Sequence, residues 1–172
     1  MAKDKAKRGV SETEAGAAVK TLAIPNKCLG LLYKMLDVPL HGSQARARAR
    51  FAKLIKQAAF DVQEFLADKD SKRVELAEKF AEKDPKTGKA IELDGGTRYH
   101  ITDENMVKFE KAVKPHKAET EAYLDEELIV DLLPSVKADF LAIRPVVLES
   151  KLTLGTIDSY IFEVLCERFQ NV

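Results

Sequence analysis

Residues 43–82 decide the fold, and they read SQARARARFAKLIKQAAFDVQEFLADKDSKRVELAEKFAE. Apolar side chains recur here at about 100° per residue, the spacing of one helix face. They form a stripe of Phe51, Leu54, Ile55, Ala58, Val62, Phe65 and Leu66, which resumes at Leu76, Ala77 and Phe80. No glycine or proline interrupts the run, so the pattern predicts one helix of nearly forty residues, about 60 Å long at ~1.5 Å per residue.

An alternative to one long helix is a hinge near Asp70-Ser71. Lys69 and Arg73 break the apolar stripe at this point, and Ser71 could cap a separate second helix. The uninterrupted run of helix-compatible residues favours the single helix.

The segments before the long helix predict a tail, a short extended stretch and a first helix. Residues 1–17 are polar, charged and small, and are expected to form a disordered tail. Lys20 to Ile24 can be extended, and Asn26 is a candidate N-cap for a helix that Pro39 and Gly42 end. Ser43 is the candidate N-cap of the long helix.

The segments after the long helix predict a hairpin and further helices. Asp84-Pro85-Lys86-Thr87-Gly88 is a loop, and residues 89–93 and 97–101 alternate as the strands of a β-hairpin. Thr102 or Asp103 is expected to cap the next helix, which Pro115 should kink or end unless it lies in the first turn of a following helix.

The C-terminal third predicts a strand and a buried last helix. Residues 127–133 are apolar and β-branched in their middle, which is typical of a strand, whereas residues 134–147 are ambiguous. Gly155-Thr156 should open a helix with a wide apolar face, formed by Ile157, Ile161, Val164, Leu165 and Phe169. The predicted fold is therefore mainly α: a long helix with a buried C-terminal helix and a small antiparallel β-hairpin, in a single domain over residues 18–172.

Composition limits the classes of protein to consider. The chain has 172 residues, of which 45% are hydrophobic and 33% charged, which suits one ordinary folded domain. No stretch approaches the ~20 apolar residues of a membrane span, and the charged N-terminus lacks the features of a secretory signal. These features favour a cytoplasmic protein. The two cysteines, Cys28 and Cys166, are expected to be free thiols on apolar helix faces.

Charge is balanced overall but uneven along the chain. There are 28 basic and 28 acidic residues, yet residues 43–56 carry only basic charges and residues 119–131 only acidic ones. A net charge of zero does not suggest a nucleic-acid-binding protein. The two segments can pair within one chain or between two copies.

The arginine run at the start of the long helix supplies the candidate contact residues. Arg46, Arg50 and Lys53 share one face of the predicted helix, opposite the apolar stripe, and Arg48 lies beside the stripe. Three uses stay open: pairing with the acidic segment, contact with phosphate or nucleic acid, or a solvated face. No aromatic residues interleave the run, which weakens a single-strand stacking surface.

Sequence motifs for catalysis, cofactors and metals are missing. The chain has no P-loop, no nucleophile elbow and no dinucleotide-binding glycine pattern, so no enzyme activity and no cofactor is expected. His116 and Glu119 can share a helix face, but a di-metal carboxylate site needs several such pairs. His41 and His100 have no neighbours at ligand spacing, so no metal site is expected.

The arginine run also carries a resemblance. Residues 45–51, Ala-Arg-Ala-Arg-Ala-Arg-Phe, followed by Lys53-Leu54-Ile55, resemble a segment in a family of uncharacterised small proteins of tailed bacteriophages and prophages. That family also has an element like Glu82-Lys83-Asp84 and one like Asp94-Gly95 followed by Tyr99. The likeness spans roughly residues 29–130, and it implies a phage or prophage origin without implying a mechanism.

The function expected on these grounds is that of a non-enzymatic accessory protein acting through protein–protein contacts in the host cytoplasm. The surface expected to act is the long helix with its arginine end. Association into a homo-oligomer is also expected, because so long a helix should leave the stripe around Leu76, Ala77 and Phe80 uncovered. The alternative is a nucleic-acid- or phosphate-binding protein that uses the basic end of the same helix.

Overall fold

The computed structural model describes residues 20–37, 39, 41–93, 98–150 and 154–172, with the side chain of residue 157 excepted. The tail expected over residues 1–17 lies outside the described residues. Within them the chain is mainly α-helical, with the long helix and the small antiparallel hairpin that were predicted, and with a second two-stranded sheet that was not.

The elements follow one another in this order: β1 (Thr21–Pro25), α1 (Asn26–Leu36), α2 (Gly42–Phe80), β2 (Glu92–Leu93), β3 (Arg98–Tyr99), α3 (Asp103–Asp125), β4 (Glu127–Asp131), α4 (Pro134–Leu148) and α5 (Thr156–Gln170). β1 pairs antiparallel with β4, and β2 pairs antiparallel with β3. The predicted extended segment before α1, the hairpin, the strand after α3 and the final helix are thus confirmed, and the ambiguous residues 134–147 are helical.

The long helix is a single element of 39 residues, and the hinge at Asp70-Ser71 is absent from it. Ser71 stays in the helix, where its hydroxyl donates to the carbonyl of Ala67 at 2.9 Å. Ser71 therefore bonds back to the preceding turn, as serine does inside helices, and caps nothing.

Two of the predicted N-caps are wrong. α1 begins at Asn26 itself, and the Asn26 side-chain amide donates to the carbonyl of Tyr123 at 2.9 Å, so it ties α1 to the end of α3. α2 begins one residue before Ser43, at Gly42, whose φ of +59° suits glycine. Thr102 does cap α3, accepting from the amide of Asn105, and Asp103 and Glu104 complement the helix dipole.

Pro115 does not end α3, which continues to Asp125. The helix has packing partners on both sides of the proline. Tyr123 stacks on Phe65 of α2 with ring centroids 4.0 Å apart, and Phe109 meets Phe80 edge to face at 6.4 Å. α3 therefore runs antiparallel along the distal half of α2.

The same contacts correct the argument for a dimer. The stripe around Leu76, Ala77 and Phe80 is half-buried, and α3 of the same chain packs over its Phe80. Self-association is not needed to cover this end of the helix.

The core lies at the other end of the molecule, where α1, α4, α5 and the sheet of β1 and β4 surround the first half of α2. Phe51 is fully buried, as predicted, and its ring meets that of Phe169 at 6.4 Å. Leu165 and Phe169 of α5 are also fully buried, while Ile161 and Val164 are half-buried. Leu54, expected in the stripe, is 48% exposed, because the buried residues of α2 centre on Ala47, Phe51, Ile55 and Val62.

Candidate functional site

An open apolar groove lies where α1 crosses the middle of α2, beside the ends of α3 and α5. Its volume is about 380 Å³. Apolar side chains from all four helices line it, chiefly Leu31, Ala59, Phe60, Leu66, Leu124 and Ile161. This size and lining are typical of pockets that receive apolar groups.

Phe60 is the most conspicuous apolar side chain of the groove. Its side chain is 52% exposed, and Tyr33 and Leu66 beside the same groove are also exposed. Phe60 lies about 180° around the helix from the buried Phe51, so its side chain points away from the core that Phe51 enters. Exposed large apolar groups that share one concave surface are typical of an interaction site.

The rim of the groove is mainly basic. Lys34 and Lys56 line it from α1 and α2, and both are exposed. Lys27 also lines it but pairs with Asp125 at 2.7 Å, and this hydrogen bond raises the pKa of Lys27. Asp158 contributes the one carboxylate among the lining residues that the structure describes. The rim thus favours a ligand with acidic groups beside its apolar part.

Gly30 lies on the wall of the groove inside α1. A glycine in a helix interior costs about 0.5–1 kcal/mol relative to alanine. A Cβ atom built on Gly30 would meet nothing within 4 Å, so no packing constraint in the described structure requires glycine there. A small residue at this position does keep the groove open.

The structure separates the four candidate contact residues of the arginine run. Arg46 and Lys53 are exposed and have no side-chain partner among the residues described, whereas Arg48 is half-buried and makes a contact of its own. The guanidinium of Arg50 binds the carboxylate of Asp139 in α4 through two nitrogens, with Nε 2.6 Å from Oδ2. The four side chains therefore do not act as one cluster.

Pairing with the acidic segment, one of the three uses that the sequence left open, does not apply to Arg50, because its partner Asp139 lies outside residues 119–131. α2 packs along α4, which brings Arg50 to this carboxylate. Three carboxylates of the acidic segment pair with other residues: Lys69 binds Glu119 at 2.6 Å, Lys27 binds Asp125, and Arg168 binds Glu127 at 2.7 Å.

Asp139 is the buried charge of the molecule, within the part of the chain that the structure describes. Its side chain is 8% exposed, while that of Arg50 is 62% exposed. The hydrogen bond from Arg50 lowers the pKa of Asp139 against the opposing effect of burial. Removing Arg50 leaves this carboxylate buried without its partner, which costs more than losing an exposed pair.

We therefore expect Arg50→Ala to lower the thermal midpoint and Arg46→Ala to leave it nearly unchanged. The folded pKa of Asp139 is depressed, so the stabilisation is present above its unfolded pKa of about 3.9 and is lost as the pH falls through the folded pKa. The deficit of Arg50→Ala relative to the wild type should thus be full at neutral pH and shrink in acid. Equal midpoints for the two variants at neutral pH would contradict this role.

The histidines and cysteines form no reactive constellation in the described structure. His116 Nδ1 is buried with no hydrogen-bond partner among the described residues. The carboxylate of Glu119 pairs with Lys69 and not with His116. No group of three or more His, Cys, Asp or Glu side chains among the described residues could hold a metal ion. Both cysteines are free thiols on helix faces, as predicted, and burial raises the pKa of Cys28 to about 11.

Reasoning from the sequence did not identify the groove. Its residues come from four helices, and their meeting depends on how α1 crosses α2. Phe60 carried the one available indication, since it is an aromatic residue opposite the apolar stripe of its helix.

No helix in the described ranges is long and apolar enough to cross a membrane. Comparisons of the chain with family models, with curated proteins and with solved structures gave no match.

Proposed function

We propose that the protein is a non-enzymatic binding protein that acts through protein–protein contacts, and that the groove of Phe60, Leu31 and Leu66 is its contact surface. The observation that carries the proposal is Gly30, a helix-interior glycine without a packing role, placed where any larger side chain narrows the groove. The partner segment supplies apolar side chains to the groove and acidic ones to Lys34 and Lys56.

The phage or prophage origin implied by residues 45–51 belongs to the same proposal. It rests on the resemblance alone, and it makes the host cytoplasm the place of action and a phage or host protein the partner.

Binding of nucleic acid by Arg46 and Lys53 is the competing function. Arg50 is paired with Asp139, so the basic surface available to phosphate is smaller than the sequence suggests. The two functions differ in their response to salt, because phosphate contacts weaken steeply with salt and apolar contacts do not.

The test is capture of partners from host lysate with the tagged full chain, with and without nuclease. Phe60→Asp should abolish capture, since it places a charge in the apolar groove. Leu54→Asp is the matched control, because Leu54 is similarly exposed on the same helix but does not line the groove. Capture that disappears with nuclease or with Arg46→Ala, and persists with Phe60→Asp, would overturn the proposal in favour of nucleic-acid binding.

A further inference from the structure

The outer edge of β4 is open in the part of the chain that the structure describes. β1 covers the other edge, with Leu22 opposite Val130 and Ile24 opposite Leu128. Hydrogen bonds from the backbone N–H of Asn26 to the Glu126 carbonyl and from the backbone N–H of Leu132 to the Lys20 carbonyl fix the ladder at both ends.

This ladder determines which backbone groups of β4 are unused. In an antiparallel pair, residues alternate between bonding to the partner strand and pointing away from it. Glu126, Leu128, Val130 and Leu132 bond toward β1, so Glu127, Ile129 and Asp131 direct their N–H and C=O groups away from β1. None of these three residues has another backbone hydrogen bond among the described residues.

The same three residues are exposed, in contrast to the buried Val130 of the opposite face. Ile129 is 55% exposed and is flanked at alternate positions by Glu127 and Asp131. The edge therefore presents an acidic, apolar, acidic pattern along one face, and its backbone donors and acceptors have no partner among the described residues.

A second copy of the chain does not suit this edge. Pairing two β4 strands antiparallel about Ile129 places Glu127 of each copy opposite Asp131 of the other. Like charges directly opposite one another in a sheet are destabilising. Such residues protect an edge against self-association while leaving it open to a strand of opposite charge.

We propose that β4 binds an extended segment of a partner protein by antiparallel strand addition, and that this segment alternates basic, apolar and basic residues. The basic residues lie opposite Asp131 and Glu127, and the apolar residue lies opposite Ile129. Glu127 is already bonded to Arg168 at 2.7 Å, whereas Asp131 has no side-chain partner among the described residues. Asp131 is therefore the main determinant of charge selection. No residue of β4 lines the groove, and this proposal does not depend on the function proposed for the groove.

The test is fluorescence anisotropy with the full chain and a labelled peptide containing Lys-Thr-Val-Thr-Lys. We expect saturable binding, and weaker binding of the matched peptide Glu-Thr-Val-Thr-Glu. Asp131→Lys should lower the affinity for the lysine peptide about fivefold, which is the effect of reversing the charge in one cross-strand pair. Asp131→Asn should give a smaller loss in the same direction, and Phe60→Asp should change nothing.

Methylation of peptide nitrogens identifies strand addition itself. In the proposed register the N–H of the valine faces β4, while those of the threonines point away. N-methyl-valine should abolish binding, and N-methyl-threonine at either position should preserve it. Equal effects of the two modifications, or no binding of the lysine peptide, would overturn the proposal.

The chain's own residues 1–19 are a rival occupant, because they include Lys3, Lys5 and Lys7 at alternate positions. A full-length variant with these three lysines changed to glutamine distinguishes the two occupants. Equal affinities of the wild type and this variant for the lysine peptide would support a partner segment as the occupant. Binding by the variant alone would assign the edge to the chain's own terminus and overturn the proposal.

Discussion

Phe51→Ala is expected to lower the free energy of unfolding by about 3–5 kcal/mol, the usual cost of removing a buried phenylalanine. Phe51 is fully buried at the centre of the core, where it contacts Phe169 of α5. Phe169 in turn meets Phe140 of α4 at 5.2 Å, so the ring of Phe51 belongs to a cluster that joins three helices. The cavity left by alanine cannot close without moving one of them. Urea denaturation at neutral pH measures the change.

Phe60→Ala is the matched control for that measurement. It removes the same group from the same helix, but at a side chain that is 52% exposed. We expect a loss below about 1 kcal/mol, as for most surface substitutions. Equal losses for the two variants would show that the core and the groove have been assigned to the wrong faces of α2.

Ser71→Pro is expected to cost about 3 kcal/mol or more, because Ser71 lies inside a continuous helix. Proline removes the backbone hydrogen bond to the preceding turn, and its ring clashes with the carbonyl there. Chemical denaturation gives the loss of stability, and the far-ultraviolet circular dichroism shows whether the second half of α2 frays.

Ser43→Pro is the control for the proline substitution. Ser43 is the second residue of α2, where the amide has no partner within the helix and proline is tolerated. Its cost should therefore be small. Similar losses at the two positions would indicate that residues 70–71 form a hinge and that α2 is two helices.

The elements of the fold could be predicted because their information is local. The uninterrupted apolar stripe predicted α2, and Asp84 to Gly88 predicted the loop, in which the Asp84 carboxylate accepts from the amides of Lys86 and Thr87. α3 does not end at Pro115, because its contacts with α2, at Phe65 and Phe80, hold the helix on both sides of the proline. Tertiary packing at this position outweighs the local tendency of proline to end a helix.

The candidate site could not be predicted because it depends on crossings between helices. The acidic segment was a reasonable partner for Arg50 on charge alone, yet the packing of α4 on α2 supplied Asp139 instead. The groove likewise combines residues that are far apart in the sequence, such as Gly30 of α1 and Ile161 of α5, which are 131 positions apart. Periodicity assigns a residue to a face, but it does not say which element covers that face.

The most direct test of the groove as the contact surface uses the variant Gly30→Leu. Its affinity for the partner captured from nuclease-treated lysate is measured together with the thermal midpoint of the variant. A Cβ at this position meets no atom of the described structure, and replacing a helix-interior glycine adds about 0.5–1 kcal/mol of stability. We predict a midpoint at or above that of the wild type and an affinity at least about tenfold lower, because the leucine side chain occupies the groove. An unchanged affinity in a folded Gly30→Leu protein would contradict the account.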